Sequence, residues 1–273
     1  MKKDFNWTLC PFIAGGLVFS AALCVRGGWR GAPLAGMFLL LTLAGMAALA
    51  VLYVLVLWIA GLPVKRGEPQ RTYLPFYHRI IIYTMGLCCA FFRIKITVSG
   101  AERLPEGRWL LVGNHRSSFD PLITGWALRW RPLSFVMKPV ISRLPVIGPF
   151  IHAACFLSID RENDRAALKT ILEAAGLLKE GVVSVGIYPE GTRNRGEGLL
   201  PLRNGAFKIA QRAKAPIVVA RLTGTDAIFR HYPWRRTPVH LEIRKVLTPE
   251  ALAGINTVEI GEEVCKWLTY ENT

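Results

Sequence analysis

From Leu34 to Leu62 the chain carries no charged side chain. A run of that length is ample for a tilted membrane span, since about 20 apolar residues in a helix cross the hydrocarbon core. A second apolar stretch, Leu9 to Val25, matches the shortest spanning helices, which need about 17 residues. Between them lies R-G-G-W-R-G-A-P, with Arg26, Trp29 and Arg30. The pair reads as a helical hairpin. A cleaved signal peptide is disfavoured, because the second stretch would remain as an anchor. Positive residues flank every end: Lys2 and Lys3, then Arg26 and Arg30, then Lys65, Arg66 and Arg71. The surplus after the second stretch places both termini on the cytoplasmic side. A hairpin dipping into one leaflet gives the same pattern.

Composition points the same way. A net charge of +15 calls for an anionic partner, and 52% hydrophobic residues is high for a soluble protein. With no zinc-finger spacing and no helix-turn-helix pattern, the expected partner is anionic membrane lipid and not nucleic acid. The six cysteines form no C-x-x-C pair and read as small buried hydrophobes. Three parts are predicted: a transmembrane or re-entrant hairpin over 1–66, a linker and interfacial helix over 67–92, and an α/β domain over 93–273. Within the second, Tyr73 to Phe92 is apolar and aromatic, interrupted by His78 and Arg79. An interfacial helix and an ordinary buried one both fit it.

The last part alternates its periods. R-I-K-I-T-V from Arg93 has the alternation of a half-buried strand, and Trp109–Gly113, Leu133–Met137 and Phe156–Ile159 read as further strands. Arg165–Lys179 has helical spacing, with Asn163 or Asp164 to cap it and Gly181 past its end. Val182–Tyr188 suits a strand covered on both faces. Asn204–Lys214 reads as a helix, Pro216–Leu222 and Val239–Val246 as strands, and Thr257–Leu268 as a closing helix. The predicted fold is α/β, a mixed sheet covered by helices, with an N-terminal membrane-embedded helical hairpin.

Chemistry concentrates in L-L-V-G-N-H-R-S-S-F-D-P, which holds His115 and, five positions on, Asp120. On one regular helix that spacing separates the side chains around the axis. A strand end, a turn and a helix start can bring them together. A carboxylate then fixes the imidazole tautomer and the other ring nitrogen removes a proton from a hydroxyl. The ordinary alternative is a surface histidine and a helix cap at Asp120, with Pro121 as the first helical residue. Y-P-E-G-T-R follows an apolar strand: Gly191 lets backbone approach a ligand, Thr192 and Arg193 offer donors for phosphate, and Glu190 could hold a hydroxyl or position Arg193. Arg161 ends C-F-L-S-I-D-R at a strand end, where ligand contacts gather, and Lys138 lies in V-M-K-P as a phosphate or acyl-donor contact; the ordinary reading of each is a solvated surface charge. G-x-S-x-G is absent, and His152, His231 and His240 have no metal-ligand spacing, so neither a serine hydrolase nor a metal site is expected.

N-H-R-S-S-F-D resembles the H-x-x-x-x-D signature of glycerolipid acyltransferases, especially the 1-acyl-glycerol-3-phosphate acyltransferases. Further blocks follow in that family's order: K-P-V-I-S-R-L-P-V-I-G-P-F through S-I-D-R, then Y-P-E-G-T-R, then A-P-I-V-V-A. The resemblance covers Trp109 to Leu222. It implies that His115 is the general base and Asp120 its orienting carboxylate. It also implies that Arg161 and Arg193 bind the acceptor's phosphate, with Glu190 and Gly191 shaping that site. The implied reaction transfers an acyl group from acyl-CoA or acyl carrier protein to a lysophospholipid, with no cofactor. The implied location is a membrane, taken as a bacterial inner membrane with the catalytic domain on the cytoplasmic face. A different acceptor, or a non-catalytic membrane scaffold, is the rival reading. The basic-aromatic clusters R-W-R (Arg129–Arg131) and R-H-Y-P-W-R-R (Arg230–Arg236) are expected to meet headgroups.

Overall fold

A computed structural model of the chain describes residues 7–27, 32–65 and 70–269. Lys2, Lys3, Arg30 and Arg66, used above for orientation, and Trp29 of the connecting loop lie outside the described residues. Two compact units emerge, one built on the N-terminal helices and one comprising Val64–Leu144 and the chain from Gly148 onward.

In the first unit, α1 (Cys10–Arg26) starts with Pro11 in its first turn, and α2 (Ala32–Gly61) follows. The helical segments Trp7–Arg26 and Leu34–Gly61 are long and apolar enough to cross a membrane, with mean hydropathies of 2.0 and 2.5. Small residues let them approach. A Cβ at Gly16 would lie 2.9 Å from the Thr42 carbonyl oxygen, and one at Gly45 would lie 3.3 Å from Gly16 Cα. The hydroxyls of Ser20 and Thr42 meet at 2.8 Å in the same seam. Small residues and hydroxyl pairs are how helices associate where no hydrophobic drive operates between them.

The second unit is an α/β domain. It comprises α3 (Pro75–Phe91), β1 (Ile94–Ser99), β2 (Leu110–Gly113), α4 (Asp120–Ala127), β3 (Leu133–Met137), α5 (Pro139–Ser142), α6 (Gly148–Ala153), β4 (Leu157–Ser158), α7 (Asp164–Lys179), β5 (Ser184–Ile187), α8 (Lys208–Ala213), β6 (Ile217–Thr223), α9 (Ile228–His231), β7 (Thr237–Leu247) and α10 (Thr257–Thr269). One seven-stranded sheet has the order β1-β7-β6-β2-β5-β3-β4. β6, β2, β5, β3 and β4 pair in parallel, β7 runs antiparallel to β6, and β1 runs parallel to β7. The sheet is therefore mixed.

The central strands are covered on both faces, which is why they read as continuous apolar runs. Leu110, Val112, Val185, Ile187, Ile217 and Val219 form one core with α7, α8 and α10. The alternate residues face the other way. Leu111 pairs in register with Gly186, whose missing side chain leaves room for Phe135, and Phe135 and Met85 of α3 close on Gly125 of α4. Edge strand β1 keeps the half-buried alternation of its sequence.

Four local readings differ from expectation. Asp120 is the first residue of α4 and not its cap, and its side chain makes no cap hydrogen bond. The Pro- and Gly-punctuated run after β3 holds the short helices α5 and α6, and β4 shrinks to two residues. The segment from Asn204 opens as a 3-10 turn before becoming α8. A further short helix, α9, sits between β6 and β7.

Candidate active site

Because β2, β3, β4 and β5 run in parallel, their carboxyl ends share one edge of the sheet. The segments carrying His115, Lys138, Arg161 and Glu190 each leave the sheet there. Ligand sites on open α/β sheets gather at such an edge.

Beyond β2 the chain is anchored at every step. The Asn114 amide spans β6, donating to the Leu222 carbonyl at 2.9 Å and accepting from the Leu222 N–H at 2.7 Å. The His115 N–H donates to Glu190 Oε1 at 2.6 Å, and its carbonyl accepts from Asn194 N–H at 2.7 Å. The other Glu190 oxygen accepts from Leu200 N–H at 3.0 Å. One buried carboxylate thus ties the histidine turn to the loop after β5.

The imidazole is held on two sides. His115 Nδ1 lies 2.8 Å from Asp120 Oδ2, and the ring stacks on Tyr188 at 4.8 Å between centroids, inclined by 22°. The Asp120 carboxyl is fully buried, with the imidazole 16% exposed. Backbone N–H groups of Arg116 and Ser117 also donate to Oδ2, at 2.7 and 2.8 Å. These donors fix that oxygen as an acceptor, so Nδ1 carries the hydrogen and Nε2 presents its lone pair. Nε2 has no protein partner among the described residues. Asp120 Oδ1 is buried with no partner there either. The start of α4 adds a favourable field for the carboxylate.

Tyr188 completes the support. Its hydroxyl lies 3.1 Å from Thr124 Oγ1 of α4. Burial, and next the charge of Asp120, push its phenol well above the usual range, so it stays neutral. Gly113 makes room for it, since a Cβ there would lie 3.0 Å from the Tyr188 ring.

The other candidates separate. Arg193 is exposed and donates to Ser118 Oγ at 2.8 Å, on the turn between His115 and Asp120. Thr192 is exposed beside it. Arg161 lies instead in a cavity of about 360 Å³ whose lining includes Gly191 and Arg203 but neither Arg193 nor Thr192. Burial, and next the charge of Arg203, lower the Arg161 pKa. Lys138 is exposed at the end of β3, and its side chain makes no hydrogen bond or ion pair among the described residues.

Sequence reasoning quoted Asn114, Ser118 and Tyr188 within its motifs without giving them work, and missed Arg203. The position of Tyr188, last before P-E-G-T-R on a strand end, could have flagged it. Nothing local marks Arg203. Near the same turn, Phe119 packs on Phe92 and on Phe229, with centroids 4.7 and 5.2 Å away. Phe229 is 68% exposed and Trp234 is 84% exposed. In the other cluster, the Arg129 guanidinium lies 4.7 Å from the Trp126 ring centroid.

Comparison with known proteins meets this geometry. A family model described as Acyltransferase matches residues 95–222. A 1-acyl-sn-glycerol-3-phosphate acyltransferase of Limnanthes douglasii is 31% identical over 159 residues, covering 58% of this chain and 56% of that protein. One from Haemophilus influenzae is 32% identical over 169 residues, covering 60% of this chain and 68% of its own length. The crystal structure of a 1-acyl-sn-glycerophosphate (LPA) acyltransferase from Thermotoga maritima shares the fold, with a TM-score of 0.57 at 20% identity over 81% of this chain and 90% of that one. The matched segment spans little more than half the length of the first of these curated relatives. The chain belongs to the acyltransferase family that includes the 1-acyl-sn-glycerol-3-phosphate acyltransferases.

Proposed function

We propose that this protein transfers an acyl group from an acyl thioester, on coenzyme A or acyl carrier protein, to the free hydroxyl of lysophosphatidic acid (LPA), giving phosphatidic acid. The observation that carries the reading is the His115 Nδ1 to Asp120 Oδ2 contact at 2.8 Å, which leaves Nε2 as a base. Family membership and the relatives' names support the substrate class.

The chemistry follows from the residues. Nε2 of His115 accepts the hydroxyl proton as the oxygen attacks the thioester carbonyl. The buried Asp120 carboxylate stabilises the imidazolium that forms. A C–O bond is made, the C–S bond breaks, and the proton on Nε2 passes to the departing thiolate. Thiolate leaves readily, so a covalent enzyme intermediate is unnecessary. Arg161 supplies a cation toward the acceptor's phosphate, and Arg193 supplies another beside the His115 turn. Glu190 holds that turn by its backbone, and Gly191 lets the loop pass close to the cavity.

Since lysophosphatidic acid keeps its acyl chain in a bilayer, the enzyme works at a membrane. In this reading α1 and α2 form a hairpin in a bacterial inner membrane, with the α/β domain at the cytoplasmic face. The exposed rings of Phe229 and Trp234 and the exposed Arg230, Arg235 and Arg236 enter the headgroup layer beside the Phe119 turn.

The test is the purified full-length chain with a labelled acyl thioester and a panel of lyso-acceptors with and without phosphate. LPA is expected to be the preferred acceptor, and His115→Ala to lower kcat by about 10²–10⁴. Acyl transfer that survives His115→Ala undiminished would overturn the reading.

A further inference from the structure

The cavity beyond the ends of β3, β4 and β5 mixes apolar and cationic lining. Val136, Ile159, Leu168 and Ile171 contribute apolar surface to its lining, and Arg161, Arg203 and Lys208 contribute cations. Asp164 is the one acid among the lining residues. Among the described residues, neither the Arg161 nor the Arg203 side chain has an ion pair or a hydrogen bond. Two guanidinium groups are thus held near each other, one of them half-buried, without a counter-charge on either. Like charges in such a place repel, and an anion between them relieves both desolvation and repulsion.

The backbone is shaped for Arg203 to be there. Gly191 has φ +72°, and a Cβ at that position would lie 2.7 Å from Arg203 Nε. The Arg203 N–H donates to the Pro189 carbonyl at 2.8 Å. Glu190 accepts from His115 N–H and from Leu200 N–H, so the loop leading to Arg203 is fastened to the turn that carries the base. Arg193 does not line this cavity.

We propose that Arg203 is a phosphate-binding residue and that it shares the acceptor's phosphomonoester with Arg161. The proposal rests on the acyltransferase reading and deepens it. A phosphomonoester brings up to two negative charges and three acceptor oxygens, enough to engage both forks, and the apolar part of the lining suits the hydrocarbon part of an amphipathic acceptor. The donor, as a coenzyme A thioester, carries phosphate too, so the experiment must tell the two sources apart.

Full-length R203Q, R203K and R161Q are assayed in detergent micelles. LPA is varied at saturating acyl-CoA and acyl-CoA at saturating LPA, with monoacylglycerol as the phosphate-free acceptor. R203Q is expected to raise KM for LPA about tenfold or more, with R203K recovering part of the loss. The preference for LPA over monoacylglycerol falls by the same factor, while KM for acyl-CoA moves less than twofold. Because the ligand is shared, R161Q and R203Q together cost less than the product of their separate effects. An unmoved KM for LPA overturns the proposal, as does a raised KM for acyl-CoA, which would give the cavity to the donor. An equal loss on both acceptors with a lowered melting midpoint overturns it in favour of a structural role. Wild-type protein inactive on LPA would instead defeat the functional reading. Calorimetry with glycerol 3-phosphate then judges the clamp alone, which stands if R203Q weakens binding and falls if it does not.

Discussion

Replacing Asp120 by asparagine separates the charge of this carboxylate from its geometry. His115 Nδ1–H, Arg116 N–H and Ser117 N–H converge on Oδ2 at 2.8, 2.7 and 2.8 Å. An asparagine can satisfy them in one orientation, with its carbonyl oxygen in that place. The reverse would set an amide N–H against two backbone donors that cannot turn away. The imidazole therefore keeps its tautomer and Nε2 stays an acceptor. What disappears is the negative charge that faces the imidazolium. A hydrogen bond to a charged group contributes about 1.5–3 kcal/mol against about 0.5–1.5 for a neutral one. The difference, about 1–2 kcal/mol, predicts a fall in kcat of about 5- to 30-fold, against about 10²–10⁴ for His115→Ala. The new NH2 occupies the place of Oδ1, which is buried and unpartnered among the described residues, so stability falls by about 1–3 kcal/mol. Initial rates with LPA and a labelled thioester, beside thermal unfolding, measure both. A kcat as low as that of His115→Ala would mean that the amide had flipped and the pinning argument is wrong. An unchanged kcat would mean that the charge has no part in the reaction.

Further outcomes follow from neighbouring contacts. Asn114→Ala leaves the buried Leu222 N–H and carbonyl unpaired, and should cost about 1–3 kcal/mol for each in chemical unfolding; a smaller loss would show that the amide is not what joins β2 to β6 there. Burial pushes the Cys89 thiol up to about 12 and the Cys155 thiol up to about 11 from 9.0. The unfolded chain then ionises first, so this part of the stability is complete below pH 9.0 and is lost as pH rises through the folded values. Denaturant midpoints should fall between neutral pH and pH 10.5, less so in Cys89→Ala/Cys155→Ala, and an identical slope in that variant would refute the assignment. Arg235→Glu/Arg236→Glu should lower the ratio of activity in anionic to neutral mixed micelles by about tenfold or more. An unaltered ratio would remove that cluster from the membrane surface.

Local pattern in the chain determined the elements, and long-range pairing decided the site. The alternation and apolar runs of Leu133–Met137 returned that strand at both bounds, and Asn163 accepts from Ala166 N–H at 3.1 Å at the start of α7. Such features depend on residues within one or two turns, which is why they are legible in sequence. Strand order is not legible: β2 lies between β5 and β6, and β7 turns antiparallel, because pairing joins segments far apart in the chain. The same holds at the site. Asp120 before proline fits both a helix cap and a carboxylate meeting His115, and only the folded turn, in which two backbone donors and the imidazole share one of its oxygens, decides between them. Glu190 reaches His115 across 75 positions, and Arg203 joins Arg161 only because the loop after β5 folds back over Gly191. The sequence names the residues with chemistry to offer, and only the packed sheet sorts them into a histidine-carboxylate pair beside one arginine and a cavity holding two others.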